Sequence, residues 1–66
     1  MRITVNGEEL RVPAGATVAD LLVRLEVATP RVAIERNRDI VPKAAYGGTA
    51  LAEGDVFEVV ELVGGG

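Results

Sequence analysis

The chain has no cysteine, no histidine and no tryptophan, and Tyr46 and Phe57 are its only aromatic residues. Each gap removes a class of chemistry. Without cysteine, no disulfide can staple the fold and no iron–sulfur cluster can hang on the chain's own thiolates. With histidine missing as well, a structural zinc site is excluded, and no metal site is expected. A cysteine nucleophile, an imidazole-activated serine and an imidazole base are excluded too. No glycine-rich loop opens a helix, and no GxxxxGK[ST] run is present, so the chain has no phosphate cradle of its own. Positive charge is also scarce: 7 Lys and Arg stand against 10 Asp and Glu, a formal charge of −3. Nucleic-acid binding needs a basic footprint and often stacking rings, so no nucleic-acid partner is expected. No apolar run approaches a membrane span, and the first residues lack the apolar core of a signal peptide. The expected compartment is cytoplasmic, which the lack of cysteine suits.

What is present is aliphatic. Apolar residues make up 48% of 66, enough for one domain with a thin core of Val, Leu, Ile and Ala. MRITVNGEELRVP alternates as two strands around Asn6-Gly7, the strongest short hairpin signal. Ile3, Val5, Leu10 and Val12 are expected to share its core face. Pro13 to Ala16 breaks the strand. A helix then begins, with Thr17 as cap and Asp20 in the capping-box position. Val18, Leu21, Leu22 and Leu25 form its apolar stripe, leaving Asp20, Arg24 and Glu26 outside. Pro30 is expected to stop any continuation.

RVAIERNRDIVP reads as a strand with Val32 and Ile34 in the core, a turn at Asn37–Asp39 and a short extended piece. KAAYGG reads as irregular or one helical turn, with Gly47-Gly48 as a breaker. LAEGD is a turn around Gly54, and VFEVVELV is the last strand. One helix covers only one face of such a sheet. The expected fold is therefore α+β, a β-grasp (ubiquitin-like) sheet of about four to five strands with one main helix. The domain is drawn at 1–63, with a flexible Gly-Gly-Gly tail at 64–66.

The last strand carries two features of interest. With Glu58 turned outward, Phe57 and Val59 face the core, while Val56, Val60 and Leu62 share the open face. Glu61 has the inward parity and is placed at the rim. Val60 and Leu62 then make an exposed apolar patch, a docking surface that runs straight into the glycines. The three glycines form a lead without side chains, about 10 Å long at roughly 3.3–3.6 Å per residue. Such a lead can enter a narrow channel, although ordering it loses more backbone entropy than ordering any other residue type. Gly66 offers an α-carboxylate with no Cβ beside it. Ionised at neutral pH, it is a poor electrophile until an enzyme makes it an acyl-phosphate anhydride.

These segments carry a family resemblance. Asn6-Gly7, TVADLL, VAIERN and EGDVFEVVELVGGG together resemble the thiamine-biosynthesis sulfur carrier (ThiS) family over essentially the whole chain. A Gly-Gly end alone would point only to some ubiquitin-like carrier or modifier; VAIERN and the short length favour ThiS. The resemblance implies a protein co-substrate rather than an enzyme. A ThiF-like, E1-type adenylyltransferase would adenylate Gly66 with ATP and magnesium, so no cofactor is bound by the chain itself. A cysteine desulfurase or rhodanese-type sulfur donor would convert the adenylate to a thiocarboxylate. A ThiG-like thiazole synthase would then take the sulfur into the thiazole moiety of thiamine. By position, Gly65 and Gly66 are the family's terminal pair, with Gly64, Val60 and Leu62 contributing to partner binding.

Other residues read more plainly. Glu35, Arg36 and Asn37 suit a strand end and a turn. Tyr46 suits packing with a wet hydroxyl, and Lys43 suits a solvated surface. Glu8-Glu9 and Glu53/Asp55 are expected to be solubilising charges at turns. Two alternatives stay open: a carrier for molybdopterin or tRNA thiolation, and a β-grasp interaction module without covalent chemistry.

Overall fold

Asn6-Gly7 closes the first hairpin. Strand β1 (Arg2–Val5) returns as β2 (Glu8–Arg11), with Ile3 opposite Leu10 and Val5 opposite Glu8. Asn6 and Gly7 take φ of 50° and 82°, the positive values that a two-residue type I′ turn requires. The structure, a computed structural model, describes residues 1–27 and 29–62. Ile3, Val5 and Val12 are buried as expected, while Leu10 packs at the margin of the core.

Helix α1 (Val18–Arg24) starts where its cap predicts. The Asp20 N–H donates to the Thr17 hydroxyl, and the Thr17 N–H donates to the Asp20 carboxylate, so two otherwise orphaned donors are satisfied. Val18 and Leu21 are fully buried, with Leu22 and Leu25 against the core edge. The helix ends well before Pro30, at Leu25. There the N–H of Glu26 donates to the Val23 carbonyl and that of Val27 to the Leu22 carbonyl, both at 3.0 Å. This is a Schellman closure. Glu26, at φ 58°, fills the left-handed position that glycine usually takes.

Strand β3 (Val32–Arg36) turns through Asn37-Arg38 into β4 (Asp39–Ile40). The turn is one residue shorter than expected, because Asp39 pairs with Arg36 and belongs to the strand. KAAYGG forms a short helical element that ends at Gly48. It is a 3-10 helix, Lys43–Gly48, closed by the Thr49 hydroxyl donating to the Ala45 carbonyl at 2.7 Å. Tyr46 of this helix is buried, and Lys43 is exposed. Gly54 takes φ 84° in the turn before the last strand, β5 (Val56–Glu61).

The sheet order is β2-β1-β5-β3-β4. β5 runs parallel to β1 and antiparallel to β3, so the last strand is the centre of the sheet. Phe57, Ile3, Leu21, Ile34 and Val18 are its fully buried anchors. Each such side chain stabilises the fold by about 1.5–3 kcal/mol relative to exposure. Helix α1 and the 3-10 helix share one layer, and the opposite sheet face has no cover among the described residues. This is a five-stranded mixed sheet with one main helix, the β-grasp arrangement.

Asp55 departs from its reading as a solubilising charge. It is only 6% exposed. Its carboxylate accepts from Arg36 Nε at 2.9 Å, from Asn37 Nδ2 at 3.2 Å and from the Ala52 N–H at 2.8 Å. A buried carboxylate persists when it is paired and hydrogen-bonded, and here three donors meet it. Glu53 also has a partner, the Arg2 N–H at 3.0 Å.

Candidate functional site

Two asparagines from two different turns hold β5 in place. Asn37 receives the Val56 N–H on Oδ1 at 3.0 Å, and its own N–H donates to the Val56 carbonyl at 2.8 Å. Asn6 does the matching work further along. It takes the Val59 N–H on Oδ1 at 2.8 Å and donates through Nδ2 to the Val59 carbonyl at 3.1 Å. An amide side chain carries the same donor and acceptor as a peptide unit, so Asn6 extends the β1–β5 ladder beyond the end of β1. Asparagine is the residue that can combine positive φ with this reach. Turn chemistry alone accounts for both asparagines in the sequence, and their second role became visible only once the strands were placed.

Held this way, β5 presents alternate residues to the uncovered face. Val60 and Leu62 are each 52% exposed, the exposure that strand parity predicts. Val60 stands opposite Ala33 of β3. The Leu62 N–H donates to the Arg31 carbonyl at 2.8 Å, which carries sheet pairing past the formal end of β5. Val56 and Ile40 add exposed apolar surface on the same side. Phe57 and Val59 face the core. Glu61 is exposed at the rim, lining an open depression with Glu8 and Glu9, which resolves its awkward parity.

The charges on the open face are less settled than its apolar residues. Glu35 of β3 lies directly opposite Glu58 of β5. Among the described residues the ion pairs are Arg2–Glu9 and Arg36–Asp55, so neither carboxylate has a cation within 4.0 Å. Arg38 lines the same shallow hollow as Glu35, Glu58, Asn37 and Val56 without pairing to either acid. Among the described residues, no group of three or more acidic side chains is arranged to hold a metal ion. No helix there is long and apolar enough to cross a membrane. The expected site residues Gly64, Gly65 and Gly66 lie outside the described residues, as does the boundary drawn between 63 and 64.

The model of the ThiS family matches residues 1–66. The chain belongs to the ThiS family. Within reach of it is the sulfur carrier protein ThiS of Bacillus subtilis, 34% identical over 65 residues, which cover 97% of this chain and 98% of that protein. Among solved structures, the crystal structure of the thiamine biosynthesis protein ThiS from Geobacter metallireducens superposes with a TM-score of 0.84. It is 33% identical, with all of both chains covered. The chain is also 46% identical to part of a thiazole synthase from Paramagnetospirillum magneticum, over all 66 residues. It spans about a fifth (20%) of the length of that relative.

Proposed function

We propose that this ThiS-family domain is a sulfur carrier for the thiazole moiety of thiamine, with the carboxylate of Gly66 as its working group. The observation that carries the reading is the match to the ThiS family along the whole chain. The thiazole-synthase likeness favours thiazole formation over molybdopterin or tRNA thiolation.

The chemistry is divided between proteins. A carboxylate oxygen of Gly66 attacks the α-phosphorus of ATP on an E1-like adenylyltransferase, and pyrophosphate leaves. A sulfur nucleophile from the donor attacks the resulting acyl carbon, and AMP leaves. A second thiol then attacks the donor-side sulfur of the acyl disulfide so formed, and the S–S bond breaks. The donor leaves as a disulfide with that thiol. The thiocarboxylate left on Gly66 passes its sulfur to the thiazole formed on thiazole synthase. Apart from that terminal carboxylate, the carrier contributes no acid, base or nucleophile to these steps. It supplies a lead that fits a channel, and a sheet face that offsets the entropy of ordering that lead. Val60 and Leu62 are the apolar centre of that face, next to the lead's root. The domain is accordingly a co-substrate, working where the soluble enzymes of the pathway work.

The test is reconstitution. The chain is incubated with adenylyltransferase, ATP, magnesium and a sulfur donor, and its intact mass is measured. One oxygen should be replaced by sulfur in the protein ending at Gly66, and in none of the protein shortened by that residue. Gly65→Leu should fold normally and fail to react, because the side chain obstructs a narrow channel. A mass shift in the shortened chain would refute the assignment to Gly66.

A further inference from the structure

The open sheet face carries a conflict of charge that no side chain among the described residues relieves. Carboxylates placed directly opposite one another on adjacent strands repel, yet Glu35 and Glu58 hold that position at the centre of the face. Arg2 and Arg11 also stand directly opposite one another, across β1 and β2, but there an acid lies close to one of the two. Asp55 receives three donors, and Glu9 has Arg2 within 3.6 Å. A local conflict without internal compensation is where a functional contact is to be expected.

The surroundings of the pair define what could relieve it. Val56 and Val60 flank Glu58 along β5, while Ala33 lies two residues before Glu35 on β3 and Ile40 lies opposite it on β4. Two carboxylates bordered by aliphatic surface suit a side chain with an apolar stem and a cationic head, which is lysine or arginine. Arginine suits them better, since its planar fork can donate to both acids at once. Arg38 sits at the mouth of the same hollow, held at φ 74° in its turn. It is free to meet an acidic group on the incoming surface.

We infer that Glu35 and Glu58 form a cation-accepting pair, and that the thiazole synthase docking on this face inserts an arginine or lysine between them. Thiazole synthase is the partner that the comparisons favour, because this chain resembles part of such enzymes along its whole length. The inference rests on the docking reading of Val60 and Leu62. It adds a charged specificity contact to an apolar one, so that association is steered and salt-dependent.

The experiment measures binding of the full chain to purified thiazole synthase from the same organism, by calorimetry at low and at physiological salt. Variants are Glu35→Gln/Glu58→Gln and, separately, Val60→Gln/Leu62→Gln. The charge variant should bind about tenfold or more weakly and lose most of its salt dependence. The same variant, unbound, should melt higher by roughly a few degrees, because the repulsion is gone. The apolar variant should lose binding while keeping the fold. Wild-type affinity and salt dependence in the charge variant, beside lost binding in the apolar one, would overturn the inference and leave the docking face standing. Undiminished binding by the apolar variant would remove the docking face itself. A wild-type chain that does not bind thiazole synthase would overturn the choice of partner.

Discussion

Asp55 and Glu58 stand three residues apart, just before and in the middle of the last strand, and meet opposite fates. Asp55 is buried and surrounded by donors from Arg36, Asn37 and Ala52. Glu58 is exposed and faces another carboxylate. The contrast extends to the two faces of β5. Toward the helix, Phe57 is sealed at 0% exposure. Away from it, Val56, Val60 and Leu62 remain half open. One side of the strand is finished by the chain itself, and the other is left uncovered among the described residues. The strand that leads to the glycine tail is thus both the centre of the core and the exposed surface of the molecule.

The largest expected effect tests the closed side. Phe57→Ala should cost about 3–5 kcal/mol, most of the stability of so small a domain. Urea denaturation should find it largely unfolded, and a modest loss would mean that the core does not centre on β5. Asp55→Ala comes next. It strips Arg36, Asn37 and the Ala52 N–H of their acceptor and should cost about 2–3 kcal/mol by the same measurement, less than a fully buried pair because Arg36 keeps some solvent. A loss under about 0.5 kcal/mol, the scale of an ordinary surface change, would return Asp55 to the class of solubilising charges.

A smaller effect separates turn geometry from strand grip. Asn6→Gly keeps the positive φ of the hairpin but removes both bonds to Val59, and should cost roughly 1–2 kcal/mol. Asn37→Gly should behave alike. Unchanged stability in either would mean that these asparagines serve their turns alone. The smallest expected effect belongs to the open side. Val60→Gln/Leu62→Gln should shift stability by less than about 1 kcal/mol while reconstituted sulfur loading or transfer falls sharply. A severe loss of folding there would erase the distinction between the two faces.

Much of the fold was legible because its signals are local. Asn6-Gly7 announced its hairpin, Thr17 and Asp20 announced the helix start, and alternation divided β5 correctly between core and surface. What escaped was made by pairing between distant segments. Nothing near Asp55 in the chain says that Arg36 and Asn37 will reach it, and nothing near Glu58 says that Glu35 will lie opposite. The helix end was missed because Glu26 occupies a position where glycine is the usual signal. Gly47-Gly48 marked the end of the helical element, but the Thr49 hydroxyl that closes it on the Ala45 carbonyl was not foreseen. Of the candidate site, the apolar patch was visible in parity alone. The tail at 64–66 lies outside the described residues and is read from its chemistry alone, and the acidic pair needed the strand register.

The central claim is that the domain works through a free carboxylate at Gly66, and the most direct measurement is the intact mass of the protein isolated from its own cells. The account predicts a chain ending at Gly66, with a fraction carrying sulfur in place of one oxygen when cells must make their own thiazole. A mass that always includes residues beyond Gly66, with no species ending there, would contradict it.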